Sequence, residues 1–168
     1  MDAPMWPDEP PLMVHPKTRE LFWVEDCEVV ESPDEISAAR SSNTPFAENP
    51  DASDWLQAIE SGMAGNSEQL RSLLIWFWWI ANDEVRKTGR LSMNLETFRL
   101  HASRLVEVLD KNDPNDRMMA AEAARQTGQF ALAAELLNFD WPEEYLTAVE
   151  RVRSLAESGD TLVRKLLP

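Results

Sequence analysis

Two histidines, His15 and His101, and one cysteine, Cys27, are the side chains of this 168-residue chain best suited to catalysis near neutral pH. Acid–base catalysis needs a second group converging on such a side chain, with pKa values shifted apart. Neither histidine has a cysteine, an aspartate or a second histidine at metal-ligand spacing, so no metal is expected. A lone cysteine closes no internal disulfide and builds no Cys-based zinc site. With five glycines and no Gly-rich phosphate loop, no cofactor is expected either. Catalysis would then need either a serine or cysteine brought near one of the histidines by the fold, or a polar cleft gathering His101 with carboxylates such as Glu96 or Glu107. The residues favour a non-catalytic protein.

Carboxylates are the more prominent chemistry. The stretch EDCEVVESPDE sets Glu25, Asp26, Glu28, Glu31, Asp34 and Glu35 in one short run, with Val29 and Val30 in its middle. Its plain reading is a solvated acidic arm, and its functional reading a charged strip presented to a basic partner. Calcium fits poorly, because the glycine turn and twelve-residue pattern of an EF-hand are missing. The formal net charge is −14. Such a chain repels phosphate backbones and anionic membranes, and attracts a basic protein through salt-sensitive steering.

The third chemical feature is LLIWFWWIAND, residues 73–83, where three tryptophans and a phenylalanine fall within nine consecutive apolar residues. A membrane span takes roughly 18–20 apolar residues, so these nine are too few. The stretch is apolar on every side of a helical projection, which describes a central core helix wrapped by its neighbours. The alternative leaves Trp76, Trp78 and Trp79 partly open as a docking patch, since tryptophan is enriched at binding hot spots. The N-terminal arm could also cover that face, with Trp6, Phe22 or Trp23 as anchors.

Two regions must position these residues. Residues 1–50 hold eight of the eleven prolines and a net charge of −8. They read as an acidic, Pro-rich arm with a small β-hairpin over 12–24, built from Leu12–Val14 and Leu21–Val24 around a polar turn. From residue 51 the apolar period becomes helical, and 51–168 reads as an all-α domain of antiparallel helical hairpins. Ser53 or Asp54 is expected to cap the first helix, and Asn66 or Ser67 a helix over 67–88. Phe98, Ala102, Leu105 and Leu109 form the stripe of the next helix. Helices over 116–127 and 130–138 pair around Gly128. Asp140 and Glu143 are spaced as a capping box for a helix whose face is Leu146, Val149, Val152 and Ala156. Asp160 would cap a short last helix.

Within residues 117–138, the run AEAARQTGQFALAAELL resembles a tetratricopeptide-type helical hairpin. Ala121, Gly128, Phe130 and Ala133 match that repeat's small, glycine, aromatic and alanine positions. Arg117 and Ala124 stand where a tryptophan and a tyrosine are typical, and NFDW arrives early. The resemblance implies a stacked helical scaffold that presents a protein-binding surface. It covers a small share of the chain, once.

The expected function is therefore a protein–protein interaction module, a small acidic inhibitor, immunity or adaptor protein that binds a basic partner. The candidate contacts are Glu25, Asp26, Glu28, Glu31, Asp34, Glu35, Trp76, Trp78 and Trp79. Alternatives are a nucleic-acid mimic and a homodimeric assembly subunit joined through the Trp face. MDAPMWPDEPP lacks a basic region followed by an apolar one, so no signal peptide is expected, and a reducing cytoplasm is the expected compartment.

Overall fold

A computed structural model describes residues 10–28, 34, 37 and 46–164. These residues are mostly helical, with one two-stranded sheet. The sheet is the expected hairpin. Strands β1 (Leu12–Val14) and β2 (Leu21–Trp23) pair antiparallel, with Leu12 opposite Trp23 and Val14 opposite Leu21. Its turn is closed by Arg19, whose φ of 60° places a non-glycine residue in the left-handed region. Its N–H donates to His15 O at 2.8 Å, and its side chain reaches two carboxylates. One guanidinium nitrogen lies 2.6 Å from Asp54 and the other 3.0 Å from Glu48. Glu48 also pairs its backbone with Val14 in an isolated bridge. One arginine thus ties the hairpin to the segment ahead of the helices and to the first helix itself.

Six helices follow among the described residues: α1 (Ala52–Glu60), α2 (Ser67–Thr88), α3 (Leu95–Val108), α4 (Pro114–Gln126), α5 (Phe130–Leu136) and α6 (Leu146–Glu157). Each of α1 to α5 packs on the helix after it, and α6 packs on both α4 and α5. No helix among the described residues is long and apolar enough to cross a membrane.

The ends of these helices follow local chemistry. Helix α1 is capped by Asp51 rather than by Ser53 or Asp54. The Asp51 carboxylate accepts from the backbone N–H groups of Ser53 and Asp54, and Asp54 accepts from the N–H of Asp51, completing a capping box. Asn66 caps α2 and accepts from the N–H of Gln69. Gly89 ends α2 at a φ of 72°, a left-handed position open to glycine at little cost. Helix α4 starts at Pro114, two residues before the expected start. Asp113 caps it, and proline fits the first turn because its missing N–H would have no partner there.

Two further expectations fail for local reasons. Asp140 and Glu143 form no capping box, because a 3-10 turn, Glu143–Tyr145, precedes α6. Leu146, as the first residue of α6, is then exposed, while Val149, Val152 and Ala156 are buried as expected. Asp160 caps no helix within residues 160–164, which carry neither helix nor strand.

At the far end of α5 the last carbonyls need donors. Arg117 donates to Leu136 O across 2.7 Å, and Trp141 and Arg153 donate to Leu137 O. Arg117 also reaches Lys111 O and places its guanidinium 4.5 Å from the centre of the Phe139 ring. It joins α4 to the end of α5 by hydrogen bonds and a cation–π contact.

The core centres on α2. Leu73, Leu74 and Phe77 have no exposed surface, and neither do Trp55 of α1 and Leu105 of α3. Fully burying one such large side chain contributes roughly 1.5–3 kcal/mol. Helix α4 contributes small residues instead: Ala120, Ala121, Ala123 and Ala124 are all fully buried. These methyl groups let neighbouring backbones approach closely.

Candidate interaction surface and a buried polar network

The acidic residues within the described segments are where a partner could reach them. Strand β2 runs directly into a 3-10 turn, Val24–Asp26, and Glu25, Asp26, Glu28 and Asp34 are exposed. Glu31 and Glu35, together with Val29, Val30 and Trp6, lie outside the described residues.

This acidic turn is fastened to the start of α2. Trp23 is buried in the core and its indole N–H lies 3.4 Å from Met63 O, in the loop between α1 and α2. One side-chain amide completes the junction. The oxygen of Gln69 accepts from Gly65 N–H at 2.6 Å, and its nitrogen donates to Glu25 at 2.6 Å. The first turn of α2 adds the exposed Glu68. A side-chain amide thus ties the acidic turn to the start of α2, forty-four residues further along the chain.

Many cations are meanwhile engaged within the fold. Arg71 pairs with Asp116, Lys87 and Arg86 with Asp83, Arg164 with Asp160, and Arg19 with Glu48 and Asp54. Lys111 donates to Val106 O and Leu109 O, capping the end of α3. Desolvation lowers the Lys111 pKa, and the surrounding carboxylates Asp116, Asp110 and Glu107 oppose that. Asp83 is held below its usual value chiefly by the hydrogen bond from Lys87, against burial.

The open Trp face is corrected. Trp76, Trp78 and Trp79 are 5%, 4% and 6% exposed. Trp76 stacks on Trp55 at 5.5 Å with planes 7° apart, and Trp79 meets Trp76 edge-on at 5.7 Å. Aromatic surface of this kind, once enclosed, belongs to the core. The three indoles are buried side chains of the core in this structure.

Trp78 leads into a feature the acid-centred reading of the sequence did not single out. Its indole N–H donates to the Gln126 side-chain oxygen at 2.8 Å, and Gln126 donates to Glu122 at 2.9 Å. Glu122 receives Arg125 in a two-pronged pair, at 2.7 and 2.6 Å. Arg125 has no exposed surface and Glu122 is 4% exposed. The other edge of the guanidinium donates to Asp160 O and, at 2.9 Å, to Leu162 O. The signal for this network was present in the sequence: Glu, Arg and Gln at positions 122, 125 and 126 share one helical face in a helix otherwise rich in alanine.

His101 faces inward and not into a cleft. It is 3% exposed and meets Phe77 edge-on at 5.5 Å. Desolvation pushes its pKa down, Arg104 adds to that, and Glu60 opposes it. Glu96 and Glu107, the partners a catalytic His101 would need, are exposed on the same helix. The structure does not gather them around the imidazole. His15 lies in the hairpin turn, where its ring nitrogen accepts from Thr18 N–H at 3.2 Å. Cys27 is exposed beside the acidic turn. Among the described residues, no three His, Cys, Asp or Glu side chains cluster as metal ligands.

No family model matches the chain, and no curated protein or solved structure matches it. The functional reading therefore rests on the chain's own chemistry.

Proposed function

We propose that this protein is a non-catalytic interaction module, an acidic inhibitor, immunity or adaptor protein that binds a basic protein in the cytoplasm. The observation that carries this reading is the acidic edge, where Glu25, Asp26 and Glu28 are exposed and Gln69 fastens Glu25 to the start of α2. A preorganised edge spares a partner the cost of ordering those carboxylates. The excess negative charge of the whole chain adds long-range attraction for a cationic surface. The tetratricopeptide-like character of α4 and α5 would give the module a stacked helical frame. Burial of the tryptophans removes the main support for a homodimer joined through them. Nucleic-acid mimicry is a narrower form of the same proposal, in which the basic partner is a nuclease or DNA-binding protein.

The test compares the wild-type chain with a Glu25→Gln, Asp26→Asn, Glu28→Gln variant as baits at low and high salt. The reading expects a basic protein captured by the wild type, released by salt, and captured at least several-fold less by the variant. Equal capture by both baits would remove the acidic edge from the function. A salt-insensitive complex, or a homodimer in light scattering, would remove electrostatic steering of a basic partner.

A further inference from the structure

The hairpin has two apolar faces, and the core takes up one of them. Successive residues of a strand point to opposite sides of a sheet. The pairing sets Leu12 opposite Trp23 and Val14 opposite Leu21. That side is turned inward: Leu12, Val14 and Trp23 are buried, and Leu21 packs against the core. The other side carries Met13 directly opposite Phe22. Both are half-buried, and among the described residues neither packs against the core that takes up Leu21. Trp23 is extended, so the alternation continues and turns Val24 the same way as Phe22. Val24 is 44% exposed, and its N–H donates to Pro11 O at 2.8 Å. Pro11, Met13, Phe22 and Val24 thus line the outward face of the sheet.

The rim of this face is acidic. Glu20 is exposed at the turn end of β2, and Glu25, Asp26 and Glu28 are exposed beyond its other end. Contiguous apolar ground with a charged rim differs from a single exposed leucine, and such ground marks interaction sites. We propose that this face docks an amphipathic basic segment of the partner protein. Its apolar side chains would sit on Met13, Phe22 and Val24, and its lysines or arginines would reach the acidic rim. Charge decides the occupant: the long stems of those cations cover apolar surface while their heads meet carboxylates, and an acidic segment is repelled. The hairpin is already fastened, by Trp23 to Met63 and by Glu25 to Gln69, so docking orders little of it. The inference rests on the basic-partner reading and adds where the partner's apolar contact falls.

The probes are two synthetic peptides of equal length and charge. One is an amphipathic leucine–lysine helix, and the other has serine in place of every leucine. Each is titrated into the full chain while the Met13 methyl resonance is followed by NMR and affinity by calorimetry. The expected result is that the leucine peptide moves the Met13 resonance and binds about tenfold tighter than the serine peptide. Phe22→Thr, which keeps a strand-forming residue, should abolish most of that preference. Salt-sensitive binding with an unmoved Met13 resonance would overturn the docking face and leave the basic-partner reading standing. So would a Phe22→Thr chain that melts earlier but keeps the full preference, since Met13 and Phe22 would then serve only as a cross-strand pair. Failure of both peptides to bind the wild type would overturn the two readings together. Should Phe22→Thr fail to fold, Val24→Thr takes its place.

Discussion

The indole of Trp78 and the side-chain amide of Gln126 meet across 2.8 Å in the buried interior, joining α2 to α4 forty-eight residues further along the chain. Both residues are nearly inaccessible to water, so neither can exchange the other for solvent when one is removed. Gln126→Leu would leave the indole N–H without its acceptor and cost about 1–3 kcal/mol. Urea denaturation of Gln126→Leu, Trp78→Phe and the double variant measures the coupling between them. Strict additivity would mean that the bond contributes nothing to stability.

Asn82 presents the reverse case. It has no exposed surface, and among the described residues neither its side-chain oxygen nor its nitrogen has a hydrogen-bond partner. A buried amide in that state has lost its water without replacement. Asn82→Leu keeps the branching at Cγ and removes both polar atoms, and is expected to raise stability by about 1–3 kcal/mol. Asn82→Ala, which opens a cavity, gains less or loses. A lower melting temperature for Asn82→Leu would show that the amide has a partner in solution, such as an internal water.

His101 sets a pH dependence whose sign follows from its burial. Desolvation first, and Arg104 second, hold the folded-state pKa below the ordinary 6.5, with Glu60 opposing. As pH falls through 6.5 the unfolded chain takes up the proton before the folded one does. Stability is therefore undiminished above pH 6.5, erodes as pH drops toward the folded value, and changes no further from this residue below it. His101→Leu should flatten the difference in denaturation midpoint between pH 7.5 and pH 5.5. An unchanged slope would assign that pH dependence to another group.

The cap of α1 acts in a separate, more acidic window. Burial works to raise the Asp51 pKa, but hydrogen bonds from Ser53 and Asp54 outweigh it and the net shift is downward from 3.8. The stabilisation is complete above pH 3.8 and is lost as pH falls through the folded value. Asp51→Ala should cost roughly 0.5–2 kcal/mol at neutral pH. The gap between variant and wild type should narrow in acid, as read from thermal melts at pH 6 and pH 3.

How much of this was legible in the sequence depends on whether a residue's role is local. The span of α2 and its Gly89 stop follow from neighbours a few residues away and could be read directly, with its cap narrowed to Asn66 or Ser67. The hairpin itself could be read from its two apolar runs, but not its register, since Leu12, Met13 and Val14 are all apolar and show no alternation. The start of α1 was missed because Asp51, Ser53 and Asp54 are all competent caps, and only the pull of Arg19 on Asp54 distinguishes their roles. The acidic edge was half legible. The charge run was plain, but its attachment through Gln69 to a turn forty-four residues away was not. The Trp face had two readings because a projection shows which side chains are apolar and not what lies opposite them. Trp55 and Gln126, on other helices, decide it.

The order in which the helices pack carries a consequence for the chain as it is being made. Helix α2 takes its neighbours from both sides: α1 precedes it, but α3 and Gln126 of α4 come later. At a synthesis rate of about 5–20 residues per second, the interval between the end of the Trp-rich run and Gln126 is roughly 2–9 seconds. Throughout that time a helix apolar on all sides stands on the ribosome with only part of its covering. Translation speed across residues 82–126, and the holdase chaperones available to a nascent chain, would then set the yield of folded protein more strongly than they would for a protein whose most apolar helix is the last to emerge.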